Sequence, residues 1–118
     1  MIGFHDAWQG VLHKRYETIT RDTVYGILAR GGTILGTTRG SPYDSDNGPA
    51  VAKANLDELG VEALIVIGGN GSLTVADKLR NDVGLNVVGV PKTIDNDIVG
   101  TDLTFGFNTA VQTATDAI

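Results

Sequence analysis

Two short apolar runs, Ala63-Leu64-Ile65-Val66-Ile67 and Asn86-Val87-Val88-Gly89-Val90, stand out from the polar sequence around them. Both have strand length and are rich in β-branched residues. Between them Leu73, Ala76, Leu79 and Val83 recur at helical spacing, directly after Gly68-Gly69-Asn70-Gly71-Ser72. The pattern predicts a strand, a glycine turn, a helix and a second strand. Proline has no N–H for a sheet ladder, so Pro91 is expected to stop that second strand. The polar heptapeptide Pro91-Lys92-Thr93-Ile94-Asp95-Asn96-Asp97 then falls just past a carboxyl end, where open parallel sheets bind ligands.

Elsewhere the pattern is weaker. Met1-Ile2-Gly3-Phe4 predicts a short strand. Asp22 to Ala29 predicts a short helix with Val24, Ile27 and Leu28 on one side, broken by Arg30-Gly31-Gly32. Thr33-Ile34-Leu35 is expected to be extended, and Thr37 to Gly48, rich in Ser, Thr, Asp, Asn and Gly, to be loop. Pro49 suits the first turn of a helix whose apolar side is Val51, Ala54 and Leu59, with Gly60 ending it. A last helix is expected from Gly106 or Phe107 to the final residue, burying Ala110, Val111, Ala114 and Ile118. Strands alternating with helices predict an α/β fold, a parallel-sheet three-layer domain with helices on both faces. With no internal repeat or linker, residues 1–118 read as one domain or part of one.

Composition narrows the function classes. The chain has 118 residues, 42% of them hydrophobic, enough for one core. Its net charge of −5 argues against nonspecific nucleic-acid binding, which needs clustered Lys and Arg. Any phosphate site must therefore be local. The absence of cysteine excludes disulfides and thiolate metal sites. No apolar stretch has transmembrane length and no signal-peptide core is visible, so a cytoplasmic protein without membrane partners is expected. His5 and His13 lack companions at metal-ligand spacing, and Trp8 reads as a packing residue.

Asp95 and Asp97 bring two carboxylates to a strand end, although Asp and Asn also favour plain turns. The glycines at 68, 69 and 71 suit close approach of an anion to backbone N–H groups at a helix start; a tight turn needing positive φ is the alternative. Neither the Walker pattern nor the dinucleotide fingerprint is completed, since no Gly-Lys-Ser/Thr follows and Thr74 stands where a third Gly or Ala belongs.

Three stretches together resemble the 6-phosphofructokinase family. They are Arg30-Gly31-Gly32-Thr33-Ile34-Leu35-Gly36-Thr37-Thr38-Arg39, Ile67-Gly68-Gly69-Asn70-Gly71-Ser72, and Pro91 to Ile98 followed by Gly100-Thr101-Asp102. The resemblance runs through almost the whole chain from Phe4-His5-Asp6-Ala7-Trp8 onward. It implies the ATP-binding domain of that family and transfer of a phosphoryl group from ATP, or in some branches pyrophosphate, to the 1-hydroxyl of fructose 6-phosphate. By resemblance Asp95 is the general base and Thr93 holds the transferring group, with Thr93, Ile94 and Asp95 on the sugar-phosphate side. Asp97 and Asn70 would hold Mg²⁺ through oxygen. Arg39, Gly40, Gly69, Asn70, Gly71, Ser72 and Lys92 would bind the donor, Arg39 by pairing with its phosphates.

The donor is read from two positions. Pyrophosphate-using relatives commonly carry Asp where this chain has Gly71, which leaves room for an α-phosphate. Lys92 occurs in pyrophosphate users and in an actinobacterial-like ATP branch. The pair resembles that branch, with ATP as donor. Three departures accompany the resemblance: Asn70 stands where the family usually has Asp or Glu, Ala7 where it usually has Gly, and the chain matches only the amino-terminal half. The family's first Gly-Gly-Asp loop and most sugar-phosphate arginines are not among these residues. A fragment of the enzyme is therefore expected, tetrameric in the full-length family, with a noncatalytic nucleotide-binding remnant as the alternative.

Overall fold

β-Branched sequence and glycine placement build the carboxyl-terminal part of the chain. In the computed structural model, which describes residues 1–118, the chain divides into two compact units, Met1–Glu62 and Ala63–Ile118.

The second unit begins with β3 (Leu64–Gly68), followed by α3 (Asn70–Val83), β4 (Val87–Thr93), the two-residue β5 (Phe105–Gly106) and α4 (Phe107–Asp116). The sheet order is β3-β4-β5 and both pairings are parallel. Val66, Ala76 and Leu79 are buried, and a side chain at Gly89 would meet Leu73, so α3 lies on the face that carries Val66 and Gly89. The α/β fold with a parallel sheet and helices is thus as expected. On the other face, Ile65 pairs with Val88 in register, and both are exposed, as is Ile67.

Pro91 does not end β4, which runs on to Thr93. Proline is tolerated because the strand changes neighbours there. Gly68, the last residue of β3, is opposite Pro91, whereas β5 starts opposite Lys92. The missing N–H falls where one ladder stops and the next has not begun.

The last helix starts as expected, with Gly106 as its N-cap, but it ends at Asp116 rather than at the final residue. Its stripe is not buried: no α4 residue is, Val111 is 50% exposed and Ile118 fully so. β5, which runs directly into α4, has two residues and is too short to cover the stripe.

In the first unit, β1 (Ile2–Phe4) pairs antiparallel with β2 (Tyr16–Thr18), placing Phe4 edge-on to Tyr16 at 6.1 Å. Between them lies α1 (Trp8–Leu12), which buries Trp8 and Val11. A 3₁₀ turn, Pro42–Asp44, opens the expected loop's last part, and α2 (Gly48–Glu58) follows with proline in its first turn. Gly60, at φ +66, takes the left-handed conformation that ends α2. The buried side of α2 is Gly48, Ala52 and Leu56, not the expected Val51, Ala54 and Leu59; Ala54 is exposed. Asn55 ties α1 to α2, its Nδ2 donating to the Val11 and Leu12 carbonyls at 3.0 and 2.9 Å. Those carbonyls end a five-residue helix and would otherwise lack donors.

Asp22 to Ala29 forms turns instead of a helix, with Tyr25 and Leu28 exposed. Gly26 sits at φ +76, and Thr20 and Thr23 bond each other's backbone N–H groups just upstream. A segment this short gains too few helical bonds to offset nucleation. Thr33 to Leu35 is bent rather than extended, because the Leu35 N–H turns back to the Thr33 hydroxyl at 3.1 Å.

Candidate functional site

The parallel register sets the carboxyl ends of β3 and β4 at the same edge of the sheet, with β4 running two residues further, so the glycine turn and the Thr93–Asp97 loop leave from that edge. β5 ends at that edge too, and α4 starts there. The polar loop is therefore bracketed by two helix starts, each with glycine as N-cap and no side-chain cap.

At the first of these, the glycine requirement differs from residue to residue. None of Gly68, Gly69 and Gly71 has positive φ, so a turn conformation is not why they are there. A Cβ on Gly68 would stand 2.6 Å from the Ser72 Cβ, so the strand and the first helical turn approach too closely for any side chain. Gly69 could take a Cβ in ordinary contact with the Lys92 carbonyl at 3.5 Å, and Gly71 faces open space. The first turn holds no acidic residue. Its N–H groups and the positive end of the helix dipole make this a place where an anion is stabilised.

The loop itself is organised by short polar contacts. The Asp95 N–H donates to Thr93 Oγ1 at 3.2 Å, and the same hydroxyl lies 3.5 Å from Asp95 Oδ2 as a long donor. Thr93 and Asp95 are thereby held on one side of the loop. Asp95, Asp97 and Lys92 are exposed and form no ion pair within their unit, so their charges are available to a ligand. Ile94, 63% exposed, lies beside them. Asn70, at the first position of α3, and Ser72, in the same turn, complete the residues named from sequence in this unit.

Arg39 and Gly40 belong to the Met1–Glu62 unit. Arg39 is exposed and makes no ion pair, and Gly40 has φ +119 with Gln9 and Asp44 nearby.

Two residues were not given a role from sequence. Thr104, 3% exposed, is the buried polar side chain of the unit. Its hydroxyl donates to the Thr93 carbonyl at 2.8 Å and its N–H to Asn96 Oδ1 at 2.9 Å, while Asn96 takes a left-handed φ of 52°. The tolerance of Asn for that conformation was a usable sign; for Thr104 nothing in the sequence singles it out.

Comparison with known proteins decides the family. The phosphofructokinase family model matches residues 1–118. The chain belongs to the phosphofructokinase family. It is 53% identical over 118 residues to the ATP-dependent 6-phosphofructokinase 3 of Streptomyces coelicolor and 52% identical to the pyrophosphate–fructose 6-phosphate 1-phosphotransferase of Amycolatopsis methanolica. In each case all of this chain matches 34% of the relative, so it spans about a third of the length of these phosphofructokinase-family proteins. Among solved structures, phosphofructokinase from Saccharomyces cerevisiae superposes with a TM-score of 0.86 at 29% identity, covering 98% of this chain and 19% of that one. The T-state enzyme of Pichia pastoris gives 0.84 at 30% identity, over 99% and 16%.

Proposed function

We propose that this chain is part of the nucleotide-binding domain of an ATP-dependent 6-phosphofructokinase, which transfers the γ-phosphoryl group of ATP to the 1-hydroxyl of fructose 6-phosphate in glycolysis. The observation that carries the reading is the Thr93–Asp95 pair on the sheet edge it shares with the uncapped start of α3. In the reaction, Asp95 accepts the proton of the attacking hydroxyl, and the Thr93 hydroxyl donates to the transferring group. The N–H groups of Asn70, Gly71 and Ser72 hold donor phosphates, and Lys92 offsets their charge.

The residues present fit Mg²⁺, a hard cation that takes oxygen ligands and keeps several waters. Asp97 supplies a carboxylate and Asn70 an amide oxygen, both exposed. Bound there, the ion would neutralise charge on the phosphate oxygens, and Asn70, being uncharged, would hold it less tightly than a carboxylate. The open space at Gly71 supports ATP over pyrophosphate. Relatives of both kinds stand at nearly equal identity, so identity does not discriminate. A cytoplasmic homotetramer is the assembly that goes with this reading; no helix is long and apolar enough to cross a membrane.

The test places this chain in the S. coelicolor ATP-dependent enzyme in place of the residues it matches, and follows fructose 6-phosphate phosphorylation with MgATP or pyrophosphate. The expected result is turnover with MgATP that falls about 10²- to 10⁴-fold in Asp95→Asn. A preference for pyrophosphate would overturn the donor, and a folded chimera that binds ATP without turnover would favour the noncatalytic remnant.

A further inference from the structure

We propose that Thr104 and Asn96 form a positioning clamp for the catalytic loop, a role that rests on the reading of Asp95 as base. Thr104 lies eight positions after Asn96, yet it makes three contacts with the loop it returns to. Its hydroxyl donates to the Thr93 carbonyl at 2.8 Å, its N–H donates to Asn96 Oδ1 at 2.9 Å, and the hydroxyl also lies 3.4 Å from that same oxygen. The clamp therefore grips the loop at Thr93 and Asn96, the residues on either side of Ile94 and Asp95.

The location makes these bonds consequential. Thr104 is 3% exposed, whereas Asp95, Asn96 and Asp97 are all exposed. The loop has little packing of its own to fix it, so its shape depends on a buried anchor. Asn96 carries a second part of the task. Its φ of 52° is uncommon for a residue with a side chain, and the bonds to its Oδ1 hold it there. With Asn96 fixed, the chain turns back and the Asp95 N–H meets the Thr93 hydroxyl. Neither clamp residue touches the reacting groups. Thr104 acts through Thr93 and Asn96, and what it sets is the direction in which the Asp95 carboxylate is presented.

Thr104 also lies immediately before β5, whose Phe105 and Gly106 pair with Lys92 and Thr93. The same residue thus joins the third strand of the sheet to the catalytic loop. A misplacement of about 1 Å at a catalytic group can cost on the order of a hundredfold in rate, so loss of the clamp is expected in kcat rather than in binding of the donor.

Kinetics of the chimera described above, with MgATP and fructose 6-phosphate, test the proposal. Thr104→Val keeps the shape and removes the hydroxyl; roughly a 10- to 100-fold fall in kcat is expected, with the KM for ATP changed less than about threefold. Thr104→Ser restores the donor and is expected to recover kcat to within about fivefold of the parent. Asn96→Gly permits the left-handed φ but removes the acceptor, and should lower kcat comparably. The double variant should lose little more than either single one, because both break the same device. Amide exchange of the same chimera, followed by mass spectrometry on peptides spanning 93–106 of this chain, gives a readout independent of turnover. Asn96→Gly is expected to speed exchange there about tenfold. Equal losses in Thr104→Val and Thr104→Ser, or unchanged kcat in both Thr104→Val and Asn96→Gly, would overturn the clamp. Unchanged turnover in Asp95→Asn would instead refute the base, and the exchange data would then judge the clamp separately.

Discussion

Replacing Ala7 by glycine is expected to stabilise the protein, against the usual effect of adding glycine. Ala7 has φ 53° and ψ −132°, a combination outside the left-handed helical region and matching the first central position of a type II′ turn, which glycine normally fills. It cannot relax easily. The Asp6 N–H is bonded to the Leu35 carbonyl at 2.9 Å, the Asp6 carbonyl accepts from Gln9, and the Ala7 carbonyl accepts from Gly10 at 3.0 Å. Surroundings that over-determine a backbone in this way can hold strain of about 1–3 kcal/mol. Glycine removes the strain but adds unfolded-state freedom worth about 0.4–1 kcal/mol. The balance lies between about zero and 2.6 kcal/mol in favour of Ala7→Gly, about 1.3 kcal/mol at mid-range.

Trp8, the next residue and the chain's single tryptophan, is 6% exposed and reports on unfolding by fluorescence. In urea, where m for small proteins is about 1–3 kcal/mol/M, a gain near 1 kcal/mol moves the midpoint upward by about 0.3–1 M with m unchanged. Ala54→Gly, at an exposed position inside α2, is the control. There glycine should cost about 0.5–1 kcal/mol, giving opposite signs for the same chemical change. A midpoint for Ala7→Gly at or below that of the parent would refute the strain argument.

Two further outcomes follow from the second unit. Gly71→Asp adds a carboxylate in the first turn of α3, which should raise stability by about 0.3–1 kcal/mol through the helix dipole while weakening ATP binding at least about tenfold in a titration; retained ATP affinity would remove Gly71 as the reason for an ATP preference. Leu79→Ala, at a fully buried position of α3, should cost about 2–5 kcal/mol by urea titration, whereas Ile65→Thr, at a residue 61% exposed, should cost less than about 1 kcal/mol.

The legibility of these features in the sequence followed how many independent signals agreed. β3, α3 and β4 were readable because β-branched runs, glycine punctuation and a helical apolar period pointed the same way, and the carboxyl-edge loop followed from them. Asp22 to Ala29 had the apolar spacing without length, caps or a partner face, and its side chains stayed in solvent. In α2 apolar residues occupy both 51 and 52, so the period alone could not choose the buried side; packing in the fold did, burying Ala52 and Leu56 while Asn55 bonds to α1. β2 has only three residues and exists because β1 lies beside it, which no local pattern encodes. The site divides in the same way. Residue types at Asp95, Thr93 and Gly69 to Ser72 suggested phosphate chemistry, but the role of Thr104 depends on partners eight and eleven residues away, a proximity that only the folded chain creates.

Pro91 illustrates how a local rule can be right about cause and wrong about outcome. The residue does lack the N–H that a ladder needs, and pairing with β3 does end opposite it at Gly68. β3 stops there because the glycine turn into α3 brings Ser72 against Gly68. β4 continues because β5 takes over at Lys92 and Thr93. At a strand rise of about 3.3 Å per residue, those two residues carry Thr93 about 7 Å beyond the level of Gly68. The Thr93–Asp97 loop therefore leaves the sheet two residues beyond the last residue of β3. Had Pro91 ended the strand, Thr93 would have lacked its pairing with Gly106, and the Thr104 hydroxyl would not have met the Thr93 carbonyl. The proline is thus compatible with the site because it occupies the one register position at which β4 exchanges one neighbour for another.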